Sequence, residues 1–263
     1  MSDPDKILAR KEGRVGYLIF NNPERHNAVS LDMWVAAAKV LADFAGDENI
    51  GVVVLTGAGN KAFVSGADIS KFEYERGRAV AVARYNAAVE KTYSAVHDFP
   101  KPTIAMIRGY CIGGGLGLAV SCDIRVASEH SRFAMPAAKL GLGYDLPGLR
   151  RFVEVLGPSF TKEMFFTALP FDADEARTMG LVNRIVKDNE IETYVQDYAS
   201  TIAANAPLTI ASVKFIVGEM LKDPEERDLA RCTDLVQQCF TSEDYEEGRK
   251  AFMEKRKPTF KGS

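Results

Sequence analysis

Residues Gly109 to Ser128 read GYCIGGGLGLAVSCDIRVAS, and the fold of the chain is decided there. The apolar run Thr103 to Ile107 ahead of it has the character of a short buried strand. It leads into three consecutive glycines, Gly113, Gly114 and Gly115. The small, apolar residues Leu116 to Cys122 then suit a helix packed close to its neighbours, and Ile124 to Ser128 read as a second strand. Glycines at such a turn admit φ > 0 and let another molecule approach the main chain closely. The first N–H groups of the helix lie at the positive end of its dipole, where a carbonyl oxygen gaining negative charge is stabilised. The turn is not a phosphate loop, because no Gly-Lys-Ser/Thr follows.

A second stretch, Ala62 to Phe72, reads AFVSGADISKF and is a strand ending in Ser65-Gly66-Ala67-Asp68. SGAD followed by IGGGLGLAVSCD resembles the enoyl-CoA hydratase/isomerase (crotonase) family, and the resemblance extends from about Val15 to Phe260. It implies an α/β fold, a right-handed spiral of ββα units with a C-terminal helical oligomerisation region. The expected division is 1–187 for the spiral core and 188–263 for helices that assemble a homotrimer or a homohexamer of paired trimers. The two turns are expected to meet, with the N–H groups of Ala67 and Gly114 forming an oxyanion hole for a coenzyme A thioester. The resemblance further places Arg25 and His26, in NNPERHNAV, beside the nucleotide phosphates. Ala67, Asp68 and Ile69 fall along the bound coenzyme. Phe252 and Lys255, in AFMEKRKPTF, are expected to contact coenzyme A, commonly that of a neighbouring subunit. From the residues alone, a basic helix end such as Lys255 equally matches the dipole. His26 equally reads as surface decoration, and Asp68 as a cap after a glycine turn.

Efficient hydratases of that family carry a pair of glutamates, which fall here at Gly117 and Ala137, where neither residue can transfer a proton. A carboxylate does occur at Asp145, beside Tyr144, in PAAKLGLGYD. The resemblance matches Asp145 to an acid of the dienoyl-CoA isomerases and to the nucleophile of the 4-chlorobenzoyl-CoA dehalogenases. Asp145 also precedes Leu146-Pro147-Gly148 as a helix cap would. Three functions stay open. One is a lyase or isomerase of the kind used in fatty acid metabolism, working through an enolate with Asp145, Tyr144 or water moving the proton. Another is an aryl-CoA dehalogenase or hydrolase using Asp145 as nucleophile, and the third a non-catalytic acyl-CoA binder. In each, coenzyme A arrives as part of the substrate, and no permanent cofactor or metal is expected.

Composition bounds the rest. With 46% hydrophobic and 26% charged residues the chain can bury a sizeable core. A net charge of −3 gives no general attraction to nucleic acid or to an anionic membrane. Cys111, Cys122, Cys232 and Cys239 lack metal-type spacing and read as reduced thiols. The polar N-terminus and the lack of a long apolar run fit a cytoplasmic protein. GAGNKA, from Gly57 to Ala62, matches a dinucleotide-type GxGxxA, but Phe63-Val64 reads as a strand where such a site needs a helix. Firm helical spacing is seen from Leu31 to Phe44, and a longer mixed helix from Glu73 to Asp98 carries Tyr74, Tyr85 and Tyr93. These tyrosines either shape an acyl pocket or simply pack.

Overall fold

The computed structural model describes residues 6–68 and 79–263; Ile69 and Tyr74 lie outside them. Two sheets organise the chain. The larger has six strands: β1 (Ile7–Glu12), β2 (Val15–Phe20), β3 (Val52–Gly57), then the strands Thr103–Ile107, Ile124–Ser128 and Arg184–Val186. The smaller has three: β4 (Ala62–Val64), Tyr110–Ile112 and Arg132–Ala134. Numbered in chain order, Thr103–Ile107 is β5, Tyr110–Ile112 β6, Ile124–Ser128 β7, Arg132–Ala134 β8 and Arg184–Val186 β9. Among the described strand pairs only β1 with β2 is antiparallel, joined at Gly13, which takes φ 56°. All other pairs are parallel.

From β3 onward the chain gives one strand to the large sheet, the next to the small one, then a helix, and repeats. The result is a spiral of ββα turns, right-handed as parallel crossovers are. The helices are α1 (Leu31–Ala45), α2 (Ala79–His97), α3 (Gly114–Val120), α4 (Ala137–Leu140), α5 (Leu146–Thr167) and α6 (Ala173–Thr178). α5 is kinked where Gly157 takes φ 70°, just ahead of Pro158. The glycine stretch after β3 enters β4 directly, without the helix a dinucleotide site requires.

The central strands of the large sheet are buried on both faces, as parallel strands are. Alternation in β2 and β3 sends Leu18, Phe20, Val53 and Leu55 to the main core, under α1, α2, α3 and α5. Val15, Tyr17, Val52 and Val54 face the other way, with Ile104, Met106 and Val126. That outer face is covered by Ile191, Val195, Ala199 and Ala203 of α7 (Ile191–Ala204). The helical region expected from 188 therefore lends its first helix to the sheet, with Tyr194, Tyr198 and Ile202 partly buried against that face. The helices that follow are α8 (Pro207–Met220), α9 (Leu229–Thr241) and α10 (Glu243–Glu254). Buried Asp244 fixes the chain end by accepting from the N–H groups of Lys261, at 2.7 Å, and Gly262, at 2.8 Å. No single described helix is long and apolar enough to cross a membrane.

Candidate active site

The first of the two turns is built on the Asn21–Val29 segment. Asn27, buried at φ 55°, accepts from Asn22 N–H and donates its amide to the carbonyls of Ala58 (3.0 Å) and Ala62 (2.7 Å). Val29 then pairs with the turn after β4. Its N–H donates to Gly66 O at 2.8 Å, and its carbonyl accepts from Asp68 N–H at 3.1 Å. Gly66 takes φ 103°, a conformation that glycine adopts without steric cost.

The second turn leaves β6. Gly113, at φ 54°, donates to Ala134 O at 2.9 Å, and α3 starts at Gly114. Gly115 permits the meeting of the turns, since a Cβ there would lie 2.1 Å from the Val64 carbonyl oxygen. Gly66 Cα sits 3.9 Å from where a Gly114 Cβ would be. Ala67 and Gly114 are both partly exposed, and among the described residues neither amide has an acceptor. Gly114 heads its helix, so it has no partner within it. Two adjacent, unsatisfied N–H groups of this kind stabilise an oxyanion.

The other predicted site residues fall around these turns unevenly. Tyr144 turns inward: its ring meets Phe165 edge-on at 4.9 Å, and its hydroxyl donates to Met135 Sδ at 3.2 Å. Asp145 turns outward, exposed, and caps α5 by accepting from Gly148 N–H at 3.0 Å. Arg25 donates to the buried carboxylate of Asp68 at 2.9 Å, so Asp68 is an ion-pair partner beneath the turn. His26 stacks edge-on with Tyr110 at 5.9 Å. Phe252 is exposed on α10, and Lys255 closes that helix in a left-handed conformation. Among the described residues, no hydrogen bond, ion pair or ring contact joins either one to the two turns. Both positions expected to lack acids are apolar in their setting: Gly117 and Ala137 are buried.

The sequence reading left Tyr85 and Tyr93 undecided and did not single out Trp34 as part of a site. Tyr93 donates to Gly114 O at 2.6 Å, and burial, then the nearby Tyr144 and Tyr85, raises its pKa well above the usual phenol value. Tyr85 donates to Val29 O at 3.0 Å and accepts from Trp34 Nε1 at 2.9 Å. The available signal was the spacing of Tyr85 and Tyr93, which puts both on one face of α2. Buried Cys111 and Cys122 have thiol pKa values raised by burial, that of Cys122 to about 12, and take no part in the site. A group with metal-ligand atoms within 4.8 Å of one another, Glu129, His130 and Asp188, lies on the surface, where His130 and Asp188 bond at 2.6 Å.

Known proteins are similar to the chain in sequence and in fold. The family profile for enoyl-CoA hydratase/isomerase matches residues 10–263. The chain belongs to the enoyl-CoA hydratase/isomerase family. Among its relatives, the short-chain-enoyl-CoA hydratase of Clostridium acetobutylicum is 33% identical, with 96% of each chain covered. The crotonyl-CoA hydratase of Syntrophomonas wolfei is 30% identical, over 97% of this chain and 98% of that one. A crystal structure of an enoyl-CoA hydratase/carnithine racemase from Magnetospirillum magneticum superposes with a TM-score of 0.93 at 37% identity, covering 98% of this chain and 96% of that one. The chain is thus an acyl-CoA enzyme of the hydratase/isomerase type, with the crotonase fold.

Proposed function

We propose that the chain binds an acyl-CoA thioester with its carbonyl oxygen between the amides of Ala67 and Gly114, and converts it as a lyase or isomerase through an enolate. The observation that carries this reading is the meeting of the two turns, each offering one free N–H group. As negative charge develops on the thioester oxygen, both donors strengthen without reorganising, and each such donor is typically worth about 10²–10³ in rate.

The enolate needs a proton at its α-carbon, and Gly117 and Ala137 supply none. Tyr144 is the better placed donor. Its hydroxyl donates to the Met135 thioether, a weak acceptor. Asp145 is exposed and engaged at the head of α5, which suits it to holding Tyr144 in place. Coenzyme A enters and leaves with the acyl group. On this reading Arg25 and His26 flank its phosphates, Ala67 and Asp68 run along it, and Phe252 and Lys255 reach it from a neighbouring subunit.

The test is a mass-spectrometric screen of enoyl-, dienoyl-, aryl- and malonyl-type thioesters, run with the wild type and with Gly114→Pro. Proline suits the first position of a helix and its Cβ meets only ordinary contacts, 3.4 Å from the Tyr93 hydroxyl and 3.5 Å from Trp34. The variant should fold by circular dichroism and lose turnover by at least about 100-fold. Full activity in folded Gly114→Pro would remove the oxyanion hole from the mechanism. Halide release from an aryl thioester would favour Asp145 as nucleophile, and tight binding without any turnover would favour a binder.

A further inference from the structure

The space above Gly117 is occupied. A Cβ on Gly117 would lie 2.6 Å from the Tyr93 hydroxyl and 2.8 Å from two atoms of its ring, closer than such atoms pack. The Tyr93 ring cannot swing aside easily, because it is buried and meets Trp34 edge-on at 5.6 Å and 89°. From there its hydroxyl reaches Gly114 O, on the residue whose N–H is the second oxyanion donor. Trp34 continues the line to Tyr85, and Tyr85 to the Val29 carbonyl that also receives Asp68 N–H. Three aromatic side chains thus run from one donor turn to the other.

We propose that Tyr93 is a positioning residue: it holds the Gly114 carbonyl, one peptide beyond the donor N–H, so that the Gly114 Cα joining the two is fixed, and through Trp34 and Tyr85 it ties that residue to the Gly66–Ala67 turn, with glycine at position 117 in order to admit it. The inference rests on the oxyanion reading above. An oxyanion donor works by being fixed before charge develops, so a peptide free to rock loses part of its effect. Because burial keeps the phenol protonated, the hydroxyl donates across the whole working pH range. The same packing leaves no room for a proton-transferring side chain on this face of the site. Chemistry that needs an acid or base at position 117 is therefore excluded, and proton transfer falls to the Tyr144 side.

The test uses hexa-2,4-dienoyl-CoA, whose conjugated thioester absorbs further to the red when its carbonyl is polarised. Wild-type protein should bind it and produce a red shift. Tyr93→Phe keeps the ring and removes the hydroxyl, and should at least halve that shift while affinity stays within about threefold. On any substrate the screen identifies, kcat should fall about 10- to 100-fold with KM little changed, as for a misplaced donor. Gly117→Ala, which pushes the ring away, should reduce the shift similarly, yet add little to Tyr93→Ala, where there is no ring to displace. A full red shift and wild-type kcat in Tyr93→Phe would overturn the role of Tyr93 and leave the oxyanion hole standing. No shift with bound ligand in the wild type would overturn the oxyanion reading, and this inference with it.

Discussion

At the scale of single residues, Tyr144 and Asp145 sit side by side in sequence and face opposite ways in the fold. One packs against the core and the other stands in solvent as the cap of α5. Substitutions separate their roles. Asparagine caps a helix as well as aspartate does, so Asp145→Asn should preserve the melting temperature, whereas Asp145→Ala should lose about 1 kcal/mol. If the carboxylate only holds the helix, Asp145→Asn also preserves kcat. Tyr144→Phe keeps the ring against Phe165 and should lower kcat by about 10²-fold or more, the usual contribution of a proton-transfer group. A sharp loss in Asp145→Asn with a silent Tyr144→Phe would return the proton to Asp145. These outcomes need only a thermal melt and steady-state kinetics on one substrate.

At the scale of elements, the helix that carries Tyr93 is anchored from behind. Glu90 of α2 receives both guanidinium N–H groups of Arg151 from α5, at 3.0 and 2.6 Å, while Ser94 donates to Glu90 at 3.0 Å. The bonds from Arg151 hold the Glu90 pKa below its ordinary value, against partial burial. A depressed folded-state pKa means this stabilisation is fully present above the usual glutamate pKa and is lost as pH falls through the folded value. Glu90 is partly exposed, so screening limits the pair to about 1 kcal/mol, or about 2–4 °C in a chain of this size. Glu90→Gln should therefore lower the melting temperature at pH 7 and have no effect once the wild-type carboxylate is protonated. An equal drop at both pH values would mean that packing, not charge, joins these helices. The elements themselves were legible in sequence where local pattern decides: the apolar run of β5, the helical spacing of α1, the glycines that must let two turns touch. Tyr93 was not, because its meaning lies in Gly114 and Gly117, which only tertiary folding brings to it. Nor was the placement of α7, since Ile191, Val195 and Ala199 make an amphipathic face without naming its partner. That partner is the outer face of a sheet whose strands alternate correctly for burial on both sides.

At the scale of the whole molecule, exposed apolar side chains among the described residues are densest along the chain beyond α7. Val213, Val217 and Met220 make an exposed stripe along one side of α8, with Leu229 and Phe240 exposed on α9 and Phe252 on α10. Their spacing on α8 is that of a helix face meant for burial. A monomer rarely leaves contiguous apolar patches beyond a few hundred Å² in water. With α7 committed to the core, α8 to α10 are the part of the C-terminal region free to assemble a trimer or paired trimers. Sedimentation equilibrium should show such an assembly at micromolar concentration, and Val217→Glu with Met220→Glu should weaken it by about 100-fold or more, since each buries an unpaired charge in the interface. The site should respond as well. Among the described residues, no hydrogen bond, ion pair or ring contact joins Phe252 or Lys255 to the two turns, and on the proposed reading their hold on coenzyme A crosses to a neighbour. The dissociating variant should then lose affinity for a CoA thioester in step with its loss of assembly, and regain it as protein concentration is raised. A wild-type monomer at micromolar concentration would contradict the assembly. A dissociated variant that binds the thioester at full strength would show instead that each chain holds its coenzyme unaided, and that Arg25, His26 and the Gly66–Asp68 turn suffice.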